Sequence, residues 1–210
     1  MLDYIIIPFL CHFIPYWALC YNFYLLDLKY LDSNHVNWTK YSKAIKGSLI
    51  NQFAIYLPTL YFTESLYEHA VTKSIGDSYL VSLIKIFCII NFTNILFYII
   101  HKILHTRILF NFIHYKHHEF IEPIAPASIY AHWIEHLFAN TLAFLIPVYL
   151  IGINYICSLI LIVLGTTSTI LSHVPYKIKS NHNAHLLHHK LYKYNYGFGG
   201  YLDKLLKTYK

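Results

Sequence analysis

The chain has 210 residues, of which 57% are hydrophobic and only 12% are charged, and its formal net charge is +6. A soluble globular domain carries roughly 25% charged residues, so this composition argues against a water-soluble domain and favours a polytopic membrane protein. The positive charge is not gathered into a compact basic patch with interleaved aromatic residues, so a nucleic-acid-binding protein is not expected.

Five apolar segments are predicted to form membrane-spanning helices, in chain order residues 4–26, 48–66, 79–100, 137–151 and 155–171. A helix of about 20 residues covers the ~30 Å of hydrocarbon in a bilayer. The fourth segment is short, and we expect it to be tilted, kinked at Pro147 or only partly inserted. The first segment follows Asp3, without a basic region or a small-residue cleavage site, and is expected to be retained rather than removed as a signal peptide.

The basic residues predict the orientation of these helices. If the five segments alternate in direction, residues 27–46, residues 101–135 and the tail after His173 lie on one side and hold 14 of the 16 Lys and Arg residues. The positive-inside rule makes that side cytoplasmic, which places the N-terminus outside and the C-terminus in the cytoplasm. We therefore expect an all-α membrane bundle of about four to five spans with a cytoplasmic, histidine-rich metal-binding cap.

Three histidine clusters lie on the predicted cytoplasmic side, each close to an apolar segment: His101-x-x-x-His105, His114-x-x-His117-His118 and His185-x-x-His188-His189. Residues at i, i+3 and i+4 share one face of a helix, so each cluster presents its imidazoles on one side. His173 ends the fifth segment. His182 shares a face with His185 and His189, which makes it a further ligand candidate or a partner of a ligand. Eight to ten imidazoles are too many for one ion but suit two.

The residues alone leave the identity of the metal open. Neutral imidazole is a suitable ligand for Fe, Zn, Cu and Ni. The Glu-x-x-His pairs of carboxylate-rich di-iron bundles are missing, and haem, held between histidines on facing helices, is the main competing cofactor. His132 and His136 lie four residues apart and are a further potential ligand pair, but a structural role, or a role as hydrogen-bond partner of a ligand, is favoured for both. No disulfide or thiolate site is expected, because the cysteines stand singly in apolar segments: Cys11, Cys20, Cys88 and Cys157.

The segments HKILH at 101–105, HYKHHEF at 114–120 and HLLHH at 185–189, followed by NYG at 195–197 and Asp203, closely resemble the sterol desaturase and fatty acid hydroxylase superfamily. The similarity runs from about residue 96 to residue 208. Some positions depart from the family pattern: His132 is followed by Trp133 instead of proline, and the chain reads LKT at 206–208 where relatives often read FGT. These departures leave the substrate subgroup open.

The resemblance implies a non-haem di-iron oxygenase that uses O₂ to hydroxylate or desaturate a lipid, either a sterol or a fatty-acyl chain. The metal ligands that the resemblance implies are His101, His105, His114, His117, His118, His173, His185, His188 and His189. His182 is a further candidate because of its spacing from His185 and His189. Four polar side chains are expected to hydrogen-bond the distal nitrogens of ligating imidazoles: Glu119, Glu135, Asn195 and Asp203.

The chain is expected to combine an N-terminal transmembrane region, residues 1–95, with a hydroxylase-like catalytic region, residues 96–210, in one integrated domain. No haem- or flavin-binding domain is recognisable, so the resemblance implies electrons from a partner, cytochrome b5 with its NADH-linked reductase. The endoplasmic reticulum is the expected membrane in a eukaryote, and a homo-oligomer is left open. The alternative functions are a catalytically inactive metal-binding membrane protein and a haem-bearing electron carrier.

Overall fold

The computed structural model describes residues 3–31, 36–176 and 183–210. Within these residues all regular secondary structure is helical, which confirms the predicted all-α class. The α-helices are α1 (Asp3–Tyr30), α2 (Trp38–Ile50), α3 (Leu57–Phe62), α4 (Glu64–Thr72), α5 (Tyr79–Leu104), α6 (Arg107–Leu109), α7 (Tyr115–His118), α8 (Trp133–Glu135), α9 (Ala143–Ile151), α10 (Tyr155–Leu171), α11 (Asn183–Leu191) and α12 (Tyr201–Leu205). Three π-helical segments, π1 (Asn51–Tyr56), π2 (Phe110–His114) and π3 (His136–Leu142), and a 3₁₀ turn at Ala125–Ala127 complete the set.

The chain runs five times between two ends of the molecule. At the first end, the Tyr155 hydroxyl at the start of α10 donates to the backbone carbonyl of Asp3 in α1, at 2.8 Å. Lys73, just after α4, donates to the carbonyl of Leu150 in α9 at 3.0 Å. The start of α1, the end of α4 and the α9–α10 turn are therefore neighbours, and the turn itself depends on Gly152, whose φ of +72° is a left-handed conformation that favours glycine.

The second end of the molecule is held together by a buried carboxylate. Asp27, near the end of α1, is only 1% exposed. It accepts hydrogen bonds from the hydroxyls of Tyr41 in α2 and of Tyr176 after α10. The end of α1, the start of α2 and the end of α10 therefore lie together.

Three of these passes are long and apolar enough to cross a membrane: Asp3–Tyr30, Tyr79–Leu104 and Trp133–Ile151. They contain the first, third and fourth predicted segments. The fourth is longer than predicted, because α8 and π3 extend it toward the N-terminus, and Pro147 lies inside its α9 part. α10 reproduces the fifth predicted segment as a shorter apolar helix of 17 residues.

The predicted second span, residues 48–66, is not among the helices that could cross a membrane. It is distributed over the end of α2, π1, α3 and the start of α4, and three of its polar side chains are buried: Ser48, Asn51 and Gln52. Ser48 donates to the carbonyl of Pro126 at 2.7 Å, and Asn51 donates to the carbonyl of Ile129 at 2.8 Å. This pass is less apolar than the others because its polar side chains donate hydrogen bonds to backbone carbonyls of the loop that follows the second histidine cluster.

The π-helical segments lie close to the histidine clusters. π2 carries His114, and π3 begins at His136. π-Helical turns are rare and occur frequently at functional sites, because the extra residue in the turn re-aims the side chains around it.

Candidate metal centre

The three histidine clusters of the sequence come from three separate elements that meet at the second end of the molecule. His101 lies in the last turn of α5, and His105 caps that helix. The second cluster runs from the end of π2 through α7. The third lies on α11. Each group is close in the chain to an apolar helix, and this restricts how far along the bundle axis the group can lie.

Nine of the ten predicted ligands form two adjoining clusters, in each of which the candidate ligand atoms all lie within 4.8 Å of one another. Cluster I consists of His101, His105, His114, His118 and His188, and cluster II consists of His117, His173, His185 and His189. The clusters touch, since the ring centroids of His118 and His189 are 4.6 Å apart. The tenth predicted ligand, His182, lies outside the described residues.

Each H-x-x-H-H motif contributes to both clusters. His114 and His118, which are four residues apart, belong to cluster I, whereas His117 between them belongs to cluster II. In the third motif the pair four residues apart belongs to cluster II, and His188 belongs to cluster I. On a helix, i and i+4 differ in direction by only ~40°, so such a pair aims at one point while the residue at i+3 aims beside it.

The spacing of the ring nitrogens matches the coordination sphere of a metal ion. In cluster I, Nε2 of His114 lies 3.1 Å from Nε2 of His101. In cluster II, Nε2 of His185 lies 3.0 Å from Nε2 of His173. Two nitrogens bound to one ion by bonds of ~2.1 Å at octahedral or tetrahedral angles are about 3.0–3.4 Å apart. The two clusters therefore match the edges of two coordination polyhedra.

Hydrogen bonds at the opposite ring nitrogen determine which nitrogen is free to bind a metal. Nδ1 of His101 donates to the carbonyl of Tyr196 at 2.7 Å, and Nδ1 of His188 donates to that of Tyr194 at 2.6 Å. Their Nε2 atoms then carry lone pairs that point into cluster I. Lone pairs at about 3 Å repel unless a cation lies between them, so these bonds favour metal binding.

Cluster II is oriented in the same way. Nδ1 of His117 donates to the carbonyl of Tyr130 at 3.1 Å, and Nδ1 of His173 donates to that of Thr169 at 2.8 Å. Burial lowers the pKa of His117 to about 4 and that of His173 to about 3. Burial, with a smaller contribution from neighbouring histidines, also lowers the pKa of His105 to about 2. The rings are therefore neutral at physiological pH, which is the protonation state that binds metals.

One of the four predicted polar partners lies directly beside a ligand candidate. A carboxylate oxygen of Glu135 is 2.9 Å from Nδ1 of His114, and both side chains are almost fully buried. Neither atom makes a well-aligned hydrogen bond with a described residue. Burial also lowers the pKa of His114 and leaves its ring neutral, so the interaction is a close polar contact rather than an ion pair.

The other predicted partners contact the backbone or other side chains. Asp203 accepts from the backbone N–H groups of Tyr196 and Gly197, at 2.7 and 2.9 Å. It thereby holds the loop whose Tyr196 carbonyl orients His101. Asn195 donates to the carbonyl of Ala184 at 3.1 Å, which ties the same loop to α11.

Glu119 faces away from the rings. It pairs with Lys43 at 2.7 Å and accepts from the Tyr130 hydroxyl at 2.8 Å. Sequence reasoning missed the acceptors of four distal nitrogens, those of His101, His117, His173 and His188, which are backbone carbonyls. A backbone carbonyl is present at every residue, so no residue type signals this role.

A cavity of about 500 Å³ opens from the two clusters into the bundle. Its wall includes ligand candidates from both clusters, among them His101 and His173, and continues along apolar side chains of α5, α9 and α10. This volume is in the range of small-molecule sites. The apolar continuation is suited to the hydrocarbon part of a lipid.

Residues 86–208 match the family described as fatty acid hydroxylase. Fatty acid hydroxylase ahd1 of Mycosarcoma maydis is 36% identical over 126 residues, which cover 54% of this chain and 30% of the relative. Fatty acid hydroxylase domain-containing protein 2 of Homo sapiens is 34% identical over 116 residues, covering 54% of this chain and 35% of the relative. Sphinganine C4-monooxygenase 1 of Arabidopsis thaliana is 26% identical over 194 residues, covering 85% of this chain and 75% of the relative.

The chain thus spans about a third of the length of the first two relatives. No solved structure matches it. The resemblance seen in the histidine motifs is confirmed by the family match, which contains all three motifs and covers more than half of the 210 residues. The chain belongs to the fatty acid hydroxylase family.

Proposed function

We propose that this protein is a membrane-bound non-haem di-iron oxygenase that hydroxylates or desaturates a lipid, either a sterol or a fatty-acyl chain, with O₂ and electrons from a partner. The observation that carries the proposal is the position of two adjoining imidazole clusters at one end of an apolar-walled cavity. Membership of the fatty acid hydroxylase family supports lipid oxidation as the reaction class.

The donor set favours two bare ions over the competing cofactors. Cluster I has five imidazoles, more than the four ligands of a closed zinc site, and neither cluster contains a cysteine. A haem iron between two histidines would place their nitrogens about 4 Å apart, twice a metal–nitrogen bond of ~2.0 Å, with the porphyrin between them. The facing Nε2 atoms of His105 and His188 are only 3.0 Å apart, which leaves no room for a porphyrin.

The chain's own residues position the substrate and exclude water. Bound iron would supply, with O₂, the redox chemistry that an unactivated C–H bond requires. Phe97, Phe144 and Leu161 line the cavity and keep its wall apolar. A lipid chain lying against them would have one of its carbons held beside the clusters, and such positioning accounts for a large share of catalysis. The backbone carbonyls that accept from Nδ1 of His101, His117, His173 and His188 hold these rings in place, so the rings need not reorient.

Cytochrome b5 with its NADH-linked reductase is the proposed electron donor, on the cytoplasmic side of the endoplasmic reticulum membrane in a eukaryote. Lys190 extends α11 directly after His189, and Lys193 and Lys204 lie in the segments that follow. All three lysines are exposed. An acidic carrier would be attracted to these exposed lysines.

The test is lipid profiling of hosts deficient in a lipid desaturase or hydroxylase that express this chain together with the electron donors. A new hydroxylated or unsaturated lipid, absent when His188→Ala is expressed at the same level, would support the proposal. If wild type and His188→Ala give identical lipid profiles in every host, while the purified wild type contains iron, the protein is a metal-binding membrane protein without turnover.

A further inference from the structure

A buried histidine lies in the cavity wall outside both metal clusters. His136 is only 2% exposed, and its side chain lines the cavity. Its Nε2 atom has no hydrogen-bond partner among the described residues. Burying a polar atom without a partner costs free energy, so such an atom in a cavity wall indicates a group that the occupant of the cavity satisfies.

The other ring nitrogen determines what His136 offers to that occupant. Nδ1 lies 3.3 Å from the side-chain amide nitrogen of Asn140, one turn further along the helix. The amide donates to Nδ1, so the ring hydrogen is on Nε2. The cavity wall therefore presents an N–H donor that requires an acceptor.

His136 and Asn140 belong to one π-helical segment of the cavity wall. His136 begins π3, and Asn140 lies within it. Both side chains line the cavity. The preceding residue, Glu135, is 2.9 Å from Nδ1 of His114 in cluster I. His136 is thus adjacent in the chain to a residue that contacts a ligand candidate of cluster I.

A second histidine in the cavity wall shows the contrast. Nδ1 of His12 lies 2.9 Å from the Thr166 hydroxyl, and its Nε2 accepts from Gln52 at 3.2 Å. Gln52 in turn accepts from the indole N–H of Trp17 at 2.9 Å. The fold thus supplies partners for both nitrogens of His12. Among the described residues, His136 has a partner at Nδ1 only.

The hydroxyl of Thr93 also lines the cavity without a partner among the described residues. A threonine hydroxyl on a helix can rotate toward the backbone carbonyl of the preceding turn. A ring N–H has no such rotation. Nδ1 of His114 and an oxygen of Glu135 also belong to cavity-lining residues and lack a well-aligned partner, but these two atoms lie 2.9 Å from each other. His136 is therefore the residue in this wall whose ring N–H needs an acceptor from outside the described residues.

The geometry points to His136 as a specificity-determining residue that donates a hydrogen bond to an oxygen of the bound lipid. The inference rests on the proposed function for the identity of the occupant as substrate. It names the substrate class: a lipid with a hydroxyl or carbonyl oxygen inside the cavity, rather than an unsubstituted hydrocarbon chain.

Ligand-induced thermal stabilisation of the full-length protein in detergent micelles tests this without turnover. The probes are two matched series: octadecane, octadecan-1-ol and octadecan-2-one, and cholestane, cholestan-3-ol and cholestan-3-one. In at least one series we expect the alcohol and the ketone to reach half-maximal stabilisation at concentrations about tenfold lower than the hydrocarbon does. A ketone can only accept, so its preference reports the Nε2–H donor. Equal concentrations within both series for the wild type would overturn the inference.

Variants locate the effect. In His136→Leu the oxygen-bearing probes should lose their roughly tenfold advantage while the hydrocarbon stabilises as before, and His136→Gln, which retains an N–H donor, should recover part of it. The matched control is His132→Asn, since His132 is half-buried, lies outside the cavity wall and caps α8 through Nδ1, a role that asparagine can fill. If His136→Leu does not fold, His136→Met replaces it. Unchanged discrimination in the folded variant that lacks the donor would refute the assignment.

The outcomes separate this inference from the proposed function. Discrimination by His136 in a protein that yields no oxidised lipid in any host would leave the oxygen-binding site in place and remove the oxygenase. Oxidation of lipids by a protein that does not discriminate the probes would support the oxygenase and overturn the assignment of His136 as an oxygen-binding residue.

Discussion

Nε2 of His117 lies 3.3 Å from Nε2 of His173, although the apolar helices from α8 to α10 separate the two residues in the chain. Cluster II is therefore closed only because this hairpin leaves the metal end of the bundle and returns to it. The ligands on either side of the hairpin are brought together by the tertiary fold and cannot be assembled by any local segment.

We expect His117→Ala and His188→Ala, one from each cluster, to lower lipid oxidation at least about 100-fold. Each should also reduce the metal content of the purified protein by about one of two ions, measured by elemental mass spectrometry. Membrane insertion should be unchanged, because neither ring belongs to an apolar span. His132→Asn is the control and should retain activity and metal. Substantial oxidation by either alanine variant would show that its ring is not a ligand.

The proposed iron dependence predicts a difference between metals. Affinity for divalent ions does not favour iron over zinc, so the purified protein is expected to bind either one. Both should raise the thermal midpoint over the chelated protein by at least about 5 °C, since an ion that binds only the folded state stabilises it. Only the iron form should consume O₂ with a reductant and lipid. O₂ consumption by the zinc form would contradict the oxygenase assignment.

Asp203 supports cluster I through the backbone that it holds, so Asp203→Ala should release the Tyr196 carbonyl from its position against His101. We expect iron affinity to fall about 10–100-fold, the usual effect of losing a group that orients a ligand. Asp203→Asn keeps one acceptor oxygen, so its iron affinity should lie between that of the wild type and that of Asp203→Ala. Competition with a calibrated chelator measures the affinity, and an unchanged value for Asp203→Ala would show that the loop needs no such support.

Gly47 connects helix packing to cluster II. A Cβ atom at this position would lie 2.3 Å from the Tyr130 ring, and the Tyr130 carbonyl orients His117. Gly47→Ala should therefore lower the free energy of unfolding by about 1–3 kcal/mol, the usual cost of overpacking. Thermal melts in detergent check this. The control is Gly165→Ala in α10, where a Cβ meets nothing within 4 Å; an equal loss in both variants would point to a general helix effect.

Glycosylation tags test the orientation of the bundle. A tag inserted after Gly76 lies in the α4–α5 turn, where a side chain would meet no other atom within 4 Å. We expect that tag to be glycosylated and a C-terminal tag to remain unmodified. A tag at Ser33, which lies outside the described residues, should also remain unmodified. Modification of the C-terminal tag would place the third histidine motif across the membrane from a cytosolic electron source.

The histidine motifs predicted which residues meet, because helical spacing and order are visible in the sequence. The division into two clusters was not predictable, since it depends on how α7 and α11 face each other. The second predicted span, residues 48–66, is not among the helices that could cross a membrane, for a different reason. Its apolar residues dominate residues 48–66, but the inward polar side chains Ser48 and Asn51 find partners only in a loop about 80 residues away.

The role of His136 was also beyond the sequence. The i, i+4 spacing with His132 suggests a ligand pair, but π3 places His136 in the cavity wall and leaves His132 as a helix cap. A π-helical turn leaves no clear periodic signal, because it shifts side chains by one residue over a few positions only.

The loop that orients His101 and His188 is itself held by residues further along the chain. The Asn195 backbone N–H donates to the carbonyl of Thr208 at 2.8 Å, and the Asn195 side chain accepts from the N–H of Lys210 at 2.9 Å. These residues follow, in the chain, the three helices that are long and apolar enough to cross a membrane. Translation therefore completes those helices before the loop that orients His101 and His188 can be held, and a metal ion bound by the proposed ligands would be acquired after these helices are made.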